Sequence, residues 1–196
     1  MIRPRSLILL AGGQSLRMGR DKAWLPAGKG TILSQLVGRL SPVVDETVVA
    51  GYHRRDAMLP VRWVPDALTQ AGPLAGILAG LKAIQGPYGW VVGCDLPDVE
   101  PELGELLYQE ALDYEAVIPR PGREPEGVCG LYSASLVDAI EELLRSGQRS
   151  VISLLQRSRV RYLSAEELVP ADPDLRSFRN LNTPEDYLEW LRSQAS

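Results

Sequence analysis

Leu7-Ile8-Leu9-Leu10-Ala11-Gly12-Gly13-Gln14-Ser15-Leu16-Arg17-Met18-Gly19-Arg20-Asp21-Lys22 runs from an unbroken apolar segment through paired glycines into basic side chains. The apolar part, residues 7–10, reads as a buried strand that stops abruptly at Ala11-Gly12-Gly13. A strand ending in small residues leaves backbone N–H groups able to face an anion, and the missing side chains let that anion come close. Arg17, Arg20 and Lys22 follow within reach of the remaining oxygens, Arg as a planar fork and Lys as a mobile point charge. These are the parts of a triphosphate cradle. Two common phosphate loops do not describe it. The G-x-x-x-x-G-K-[ST] pattern fails because five residues separate Gly13 from Gly19, and Arg20-Asp21 follow. The dinucleotide pattern G-x-G-x-x-G fails because Gly12 and Gly13 are adjacent.

Downstream, strand and helix patterns alternate. Residues 31–40 have helical period, with Ile32, Leu36, Val37 and Leu40 on one face. Residues 46–50 and 61–64 read as short buried strands, and 73–84 as a helix with Leu74, Ile77, Leu78 and Leu81 as its apolar stripe. Residues 90–93 form a strand that runs into Cys94-Asp95, and 101–112 a helix opened by Pro101 and Glu102. Strands are expected at 115–118, 127–132 and 160–163, and helices at 135–145 and 151–156, with Gly147 as a stop between the two helices. Thr183-Pro184-Glu185-Asp186 opens a last helix as N-cap, N1 proline and first-turn acids, carrying Tyr187, Leu188 and Leu191 inward. Such alternation predicts an α/β layered fold with a largely parallel sheet. Without repeats or a low-complexity linker, residues 1–196 read as a single domain. The charged stretch 120–127 reads either as a mobile flap or as an uninvolved surface loop.

Composition narrows the function. A hydrophobic fraction of 45% and a charged fraction of 23% are ordinary for a soluble globular chain. The formal charge of -4 provides no basic surface for duplex nucleic acid. No run reaches the roughly 20 apolar residues of a transmembrane helix, and nothing at the N-terminus reads as a signal peptide, so a cytoplasmic protein is expected. Cys94 and Cys129 form no C-x-x-C pair, which argues against a zinc site or redox dithiol. The only lysines are Lys22, Lys29 and Lys82, so Lys22 stands out in its loop. The sole histidine, His53, lies beside Arg54 and Arg55 with no G-x-S-x-G elbow to serve, which disfavours a Ser-His-Asp hydrolase.

In open α/β sheets ligands gather at the carboxyl ends of strands. Gly12 and Gly13, Asp66, and Asp95 all fall just beyond a strand reading. Asp95, in Gly93-Cys94-Asp95-Leu96-Pro97-Asp98, is placed to bind a hard cation: Mg²⁺ takes one or two carboxylates plus phosphate oxygens. Asp98 could assist but reads better as a helix cap. Asp66 could accept from the N1–H and amino group of guanine, two adjacent donors that adenine does not present.

The run A-G-G-x-S-x-R-M-G-x-D-K from Ala11 to Lys22 resembles the signature loop of nucleotidyltransferases with a Rossmann-like core. Among them it is most similar to the molybdenum cofactor guanylyltransferases. The resemblance extends to C-D-x-P at Cys94–Pro97, to Asp66 with Gly72-Pro73-Leu74-Ala75-Gly76, and to Asn180-Leu181-Asn182-Thr183-Pro184-Glu185. It implies a three-layer α/β/α sandwich and transfer of GMP from GTP to the terminal phosphate of molybdopterin, with release of pyrophosphate. It assigns nucleotide contacts to Leu10, Ala11, Gly12, Gly13, Lys22, Ala50, Asp66, Gly72, Pro73, Leu74 and Asp95. Arg17, Lys22 and Asp95 become catalytic, Asp95 holds Mg²⁺, and Asn180 and Asn182 lie beside the acceptor. Transient contact with other molybdenum cofactor biosynthesis proteins is also implied. The chain departs from the family at Ala50-Gly51-Tyr52, where an Asn often follows the second strand; Ala50 could offer only its backbone. Read without the family, Asn182-Thr183-Pro184 is simply a helix start. The competing readings are a transferase using CTP or UTP and a nucleotide-binding adaptor without turnover. An NAD-dependent oxidoreductase is disfavoured by the missing fingerprint.

Overall fold

The computed structural model describes residues 2–12, 21–52, 56, 58–65 and 72–194. Its elements run β1 (Ser6–Leu10), β2 (Pro26–Ala27), β3 (Gly30–Thr31), α1 (Ile32–Leu40), β4 (Glu46–Ala50), β5 (Arg62–Val64), α2 (Pro73–Ala83) and β6 (Tyr88–Gly93). There follow α3 (Pro101–Gln109), β7 (Ala116–Arg120), β8 (Cys129–Ser133), α4 (Val137–Arg145), α5 (Val151–Leu155), β9 (Val160–Ser164), α6 (Ala165–Leu168) and α7 (Pro184–Ser193). Seven strands form one sheet in the order β5-β4-β1-β6-β8-β7-β9. β1 is central and parallel to both β4 and β6, with Leu10 opposite Ala50 on one side and Gly93 on the other.

Alternation along the strands produces the layers. Leu7 and Leu9 of β1, with Trp90 and Val92 of β6, enter one core beside α1, α3 and Trp190 of α7. Ile8, Leu10 and Val91 point the other way, onto the apolar side chains of α2, α4 and α5. A strand buried on both faces reads as a continuous apolar run, which is why 7–10 carries no polar interruption. The result is three layers, α/β/α.

Two expectations are corrected by the structure, while the largely parallel sheet is borne out. Within it β8 alone runs antiparallel to its neighbours, β6 and β7. The 121–128 connection from β7 to β8 is too short for the dozen or more residues of a parallel crossover, so the chain turns back as a hairpin. β5 is a partly exposed edge strand rather than a buried one; its Arg62 reaches solvent and pairs with Glu46 at 2.5 Å. In α7 the buried residue is Trp190, whereas Leu188 is 51% exposed. Tyr187, Trp190 and Leu191 share the i, i+3, i+4 stripe of one face, and Leu188 lies off it. Among the described residues no helix is long and apolar enough to cross a membrane.

Candidate functional site

Several segments meet at the carboxyl edge of the sheet. The first is the end of β1, where the Ala11 N–H donates to Ala50 O at 2.9 Å and the Gly51 N–H to Val64 O at 3.1 Å, lacing β1, β4 and β5 together. The chains approach so closely that a Cβ on Gly12 would lie 2.0 Å from the Gly51 carbonyl oxygen. Only glycine fits there. The Ala11 N–H was expected to face phosphate; it is committed to Ala50 instead. Leu10, Ala50 and Leu74 are buried, which leaves only their backbone atoms for any nucleotide. Gly13, Arg17 and Asp66 lie outside the described residues.

Lys22 re-enters at a short 3-10 turn, Lys22–Trp24, capped by Asp21, whose carboxylate accepts from the Ala23 N–H at 3.1 Å. From there its ammonium lies 3.8 Å from Asp95 Oδ2 and donates to Asn182 Oδ1 at 3.4 Å. Three residues separated by up to 160 positions along the chain thus meet at one cation.

Asp95 is held from several sides. Leu96 N–H donates back to Gly93 O at 3.1 Å, closing the turn, and Leu181 N–H donates to the Asp95 carbonyl at 2.8 Å. Arg39 braces the turn two residues further on by donating to Pro97 O at 3.2 Å. Asp95 Oδ1 occupies the place a Cβ on Gly93 would take, 2.5 Å from it. The carboxyl therefore folds back over the strand end, and its side chain keeps 30% exposure toward the edge. A hard cation needs such an open oxygen donor. Among the described residues no group of three His, Cys, Asp or Glu forms a cage, so this donor set suits an ion shared between one carboxylate and phosphate oxygens.

Asp98 neither caps a helix nor joins Asp95. It is buried and accepts from Trp190 Nε1 at 2.9 Å and Gln194 Nε2 at 3.2 Å, clamping α7 to the sheet. Asn182 sits at the start of that helix. Asp186 Oδ2 accepts from the N–H groups of both Asn182 and Thr183 at 2.8 Å, while Thr183 Oγ1 accepts from the Asp186 N–H at 3.1 Å. These N–H bonds, Thr183 first, hold the Asp186 carboxyl below the usual range, and they fix the backbone from which Asn182 reaches Lys22. The helix-start reading holds, and the same segment brings Asn182 to Lys22.

Gly72 caps α2 at φ +72°, a conformation suited to glycine, ahead of Pro73. Both lie at the same edge, where α2 begins after β5.

Glu126 was not singled out in the sequence, where 120–127 read as a flap or surface loop and the resemblance placed the acceptor side only loosely around Pro125–Cys129. Gly93 N–H donates to Val128 O at 2.8 Å and Glu126 N–H to Pro119 O at 2.8 Å, so the loop end is pinned beside β6 and β7. Asn180 Nδ2 donates to Glu126 Oε2 at 3.4 Å. Burial pushes the Glu126 carboxyl up, and the nearby Asp95 charge adds to this. A carboxylate between two strand ends, at Pro125-Glu126-Gly127, was the available signal.

Comparison with known proteins identifies the family and the fold. A family model described as a MobA-like NTP transferase domain matches residues 7–161. A probable molybdenum cofactor guanylyltransferase from Pelotomaculum thermopropionicum is 35% identical over 184 residues, covering 93% of this chain and 89% of that one. One from Methanosarcina mazei is 37% identical over 196 residues, covering 93% and 88%. The crystal structure of molybdopterin-guanine dinucleotide biosynthesis protein A from Archaeoglobus fulgidus superposes with a TM-score of 0.85 at 28% identity, covering 97% of this chain and 98% of that one. The layered sheet is the Rossmann-like nucleotidyltransferase fold, and the chain belongs to the MobA-like NTP transferase family.

Proposed function

We propose that this enzyme transfers GMP from GTP to the terminal phosphate of molybdopterin and releases pyrophosphate, with Mg²⁺ as its metal. The observation that carries this reading is the meeting of Lys22, Asp95 and Asn182 at the sheet edge, beside the glycine turn that ends β1. The names of the Pelotomaculum and Methanosarcina relatives supply the guanine and the acceptor. The reaction takes place in the cytoplasm.

An acceptor phosphate oxygen attacks the α-phosphorus in line; the new P–O bond forms as the bond to the β-phosphate oxygen breaks. That oxygen is already ionised near pH 7, so no general base is required. The protein's contribution is positioning and charge. The backbone from Gly12 and Gly13, with Arg17 and Lys22, holds the triphosphate. Asp66 and the backbone of Gly72, Pro73 and Leu74 hold base and ribose, and Asn180 and Asn182 hold the acceptor. Asp95 would hold the Mg²⁺, which supplies neutralising charge on the phosphates. Lys22, tied to both Asp95 and Asn182, keeps the carboxylate and the acceptor side in register.

The test is a pyrophosphate-release assay with protein, Mg²⁺, molybdopterin and each nucleoside triphosphate in turn. GTP is expected to be used far better than CTP, UTP or ATP, with a guanine dinucleotide as product. Preference for CTP or UTP would reassign the base, and binding of GTP without any product would make the chain a nucleotide-binding adaptor.

A further inference from the structure

Glu126 sits in the site without a role in the chemistry above. Its loop is pinned by Pro119 O and by the Gly93–Val128 bond, so its carboxylate is held at the edge, on the side of Asn180. The side chain is half-buried; its hydrogen-bond donors are neutral, Asn180 Nδ2 and the backbone of Val128, and the charge near it is the like charge of Asp95. Lys22, by contrast, lies against Asp95 and Asn182.

Among the described residues no basic side chain pairs with Glu126, so a triphosphate or an acceptor phosphate beside it would meet uncompensated like charge. What Glu126 can face is the uncharged, donor-rich end of the acceptor. A pterin ring carries a 2-amino-4-oxopyrimidine edge with two adjacent donors, the ring N–H and the amino group. A carboxylate accepts from both, in a bidentate pair.

Resting on the proposed acceptor, we propose that Glu126 is the residue that recognises the pterin ring, accepting hydrogen bonds from its ring N–H and 2-amino group. Asn180 then orients Glu126, in addition to any direct contact of its own. A site built to satisfy such donors rejects analogues that lack them, since its own acceptor is left unpaired.

The test compares wild type with Glu126→Gln and Glu126→Asp, measuring KM for molybdopterin, KM for GTP and the Mg²⁺ concentration for half-maximal rate. The Gln variant is expected to raise KM for molybdopterin by about tenfold or more, as loss of a charge-assisted bond does. KM for GTP and the Mg²⁺ requirement should hold, and the Asp variant should fall between. Melting curves establish that each variant folds. An unchanged molybdopterin KM in both variants overturns the assignment. A raised Mg²⁺ requirement or GTP KM also overturns it, since Glu126 would then serve the ion or the nucleotide. Wild type that forms no dinucleotide would instead overturn the function itself, and the inference with it.

Discussion

Gly12→Ala tests the geometry of the cradle most sharply. An alanine Cβ at this position would lie 2.0 Å from the Gly51 carbonyl oxygen and 2.7 Å from its carbonyl carbon and Cα, where ordinary contact begins at 3.4 Å. About 1.4 Å must be found, and both parties are backbone, so no side chain can swing aside. The Ala11–Ala50 bond of 2.9 Å ties the two chains together one residue earlier, so the movement falls on the turn itself. Overpacking of this kind costs about 1–3 kcal/mol. At this chain length each kcal/mol lowers Tm by roughly 2–4 °C. Displacing a catalytic contact by about 1 Å costs on the order of a hundredfold in rate. The assay pairs a melting curve with pyrophosphate release under saturating molybdopterin, read as kcat and as KM for GTP. A parallel Gly38→Ala variant is the control: Gly38 is exposed within α1 and a Cβ there meets nothing within 4 Å. It should raise stability by about 0.5–1 kcal/mol and leave turnover alone. A Gly12→Ala protein with wild-type Tm, kcat and GTP KM would refute the close-approach reasoning.

Further expectations concern single residues. Asp95→Ala and Lys22→Ala should each lower turnover by roughly a hundred- to a thousandfold while circular dichroism stays native, as removal of one preorganised electrostatic contact does; near-normal pyrophosphate release from either would count heavily against their roles. Asp98→Ala leaves the Trp190 indole N–H buried without its acceptor and should cost about 1–3 kcal/mol in urea melts, with the activity of the folded fraction retained; an activity loss larger than the folding loss would return Asp98 to the site. Burial pushes the Cys94 and Cys129 thiols up, so at pH 8 they carry less thiolate than a free cysteine, whose pKa is about 8.5. Both should resist iodoacetamide in the folded protein and react in guanidinium, and rapid labelling of the native state would contradict their burial.

Local signals accounted for most of the scaffold. The unbroken apolar 7–10 run, the Thr183 cap and the Gly147 stop each act within a few residues, and the chain obeys them. The Thr183 side chain caps α7 and Gly147 adopts φ +79°. What escaped were choices made by distant partners. Trp190 rather than Leu188 turns inward because Asp98, far away in sequence, accepts its indole N–H. β5 is half exposed because it lies at the sheet edge, where Trp63 finds cover in Tyr52 and Trp24 rather than in a flanking strand. The antiparallel direction of β8 follows from its short connection to β7, within a sheet that is otherwise parallel as the alternating pattern predicts.

The candidate site divides in the same way. Lys22, Asp95 and Asn182 sit in distinctive motifs, and the structure brings their side chains within hydrogen-bonding or ion-pairing reach. Glu126 has no motif, and its importance depends on where β6, β8 and the 180–182 segment happen to meet. The Ala11 N–H looked available for phosphate because the strand appeared to end before it. The β1–β4 ladder extends one residue further, and that bond takes it.

The most direct measurement is a crystal structure of the protein soaked with GTP and Mg²⁺. The expected result is a cation about 2.1 Å from an Asp95 carboxylate oxygen, shared with phosphate oxygens that lie against the turn at Gly12 and near the Lys22 ammonium. A nucleotide bound elsewhere, or a triphosphate in the turn whose cation leaves Asp95 uncoordinated, would contradict the assignment of this edge as one metal-assisted nucleotidyl-transfer site.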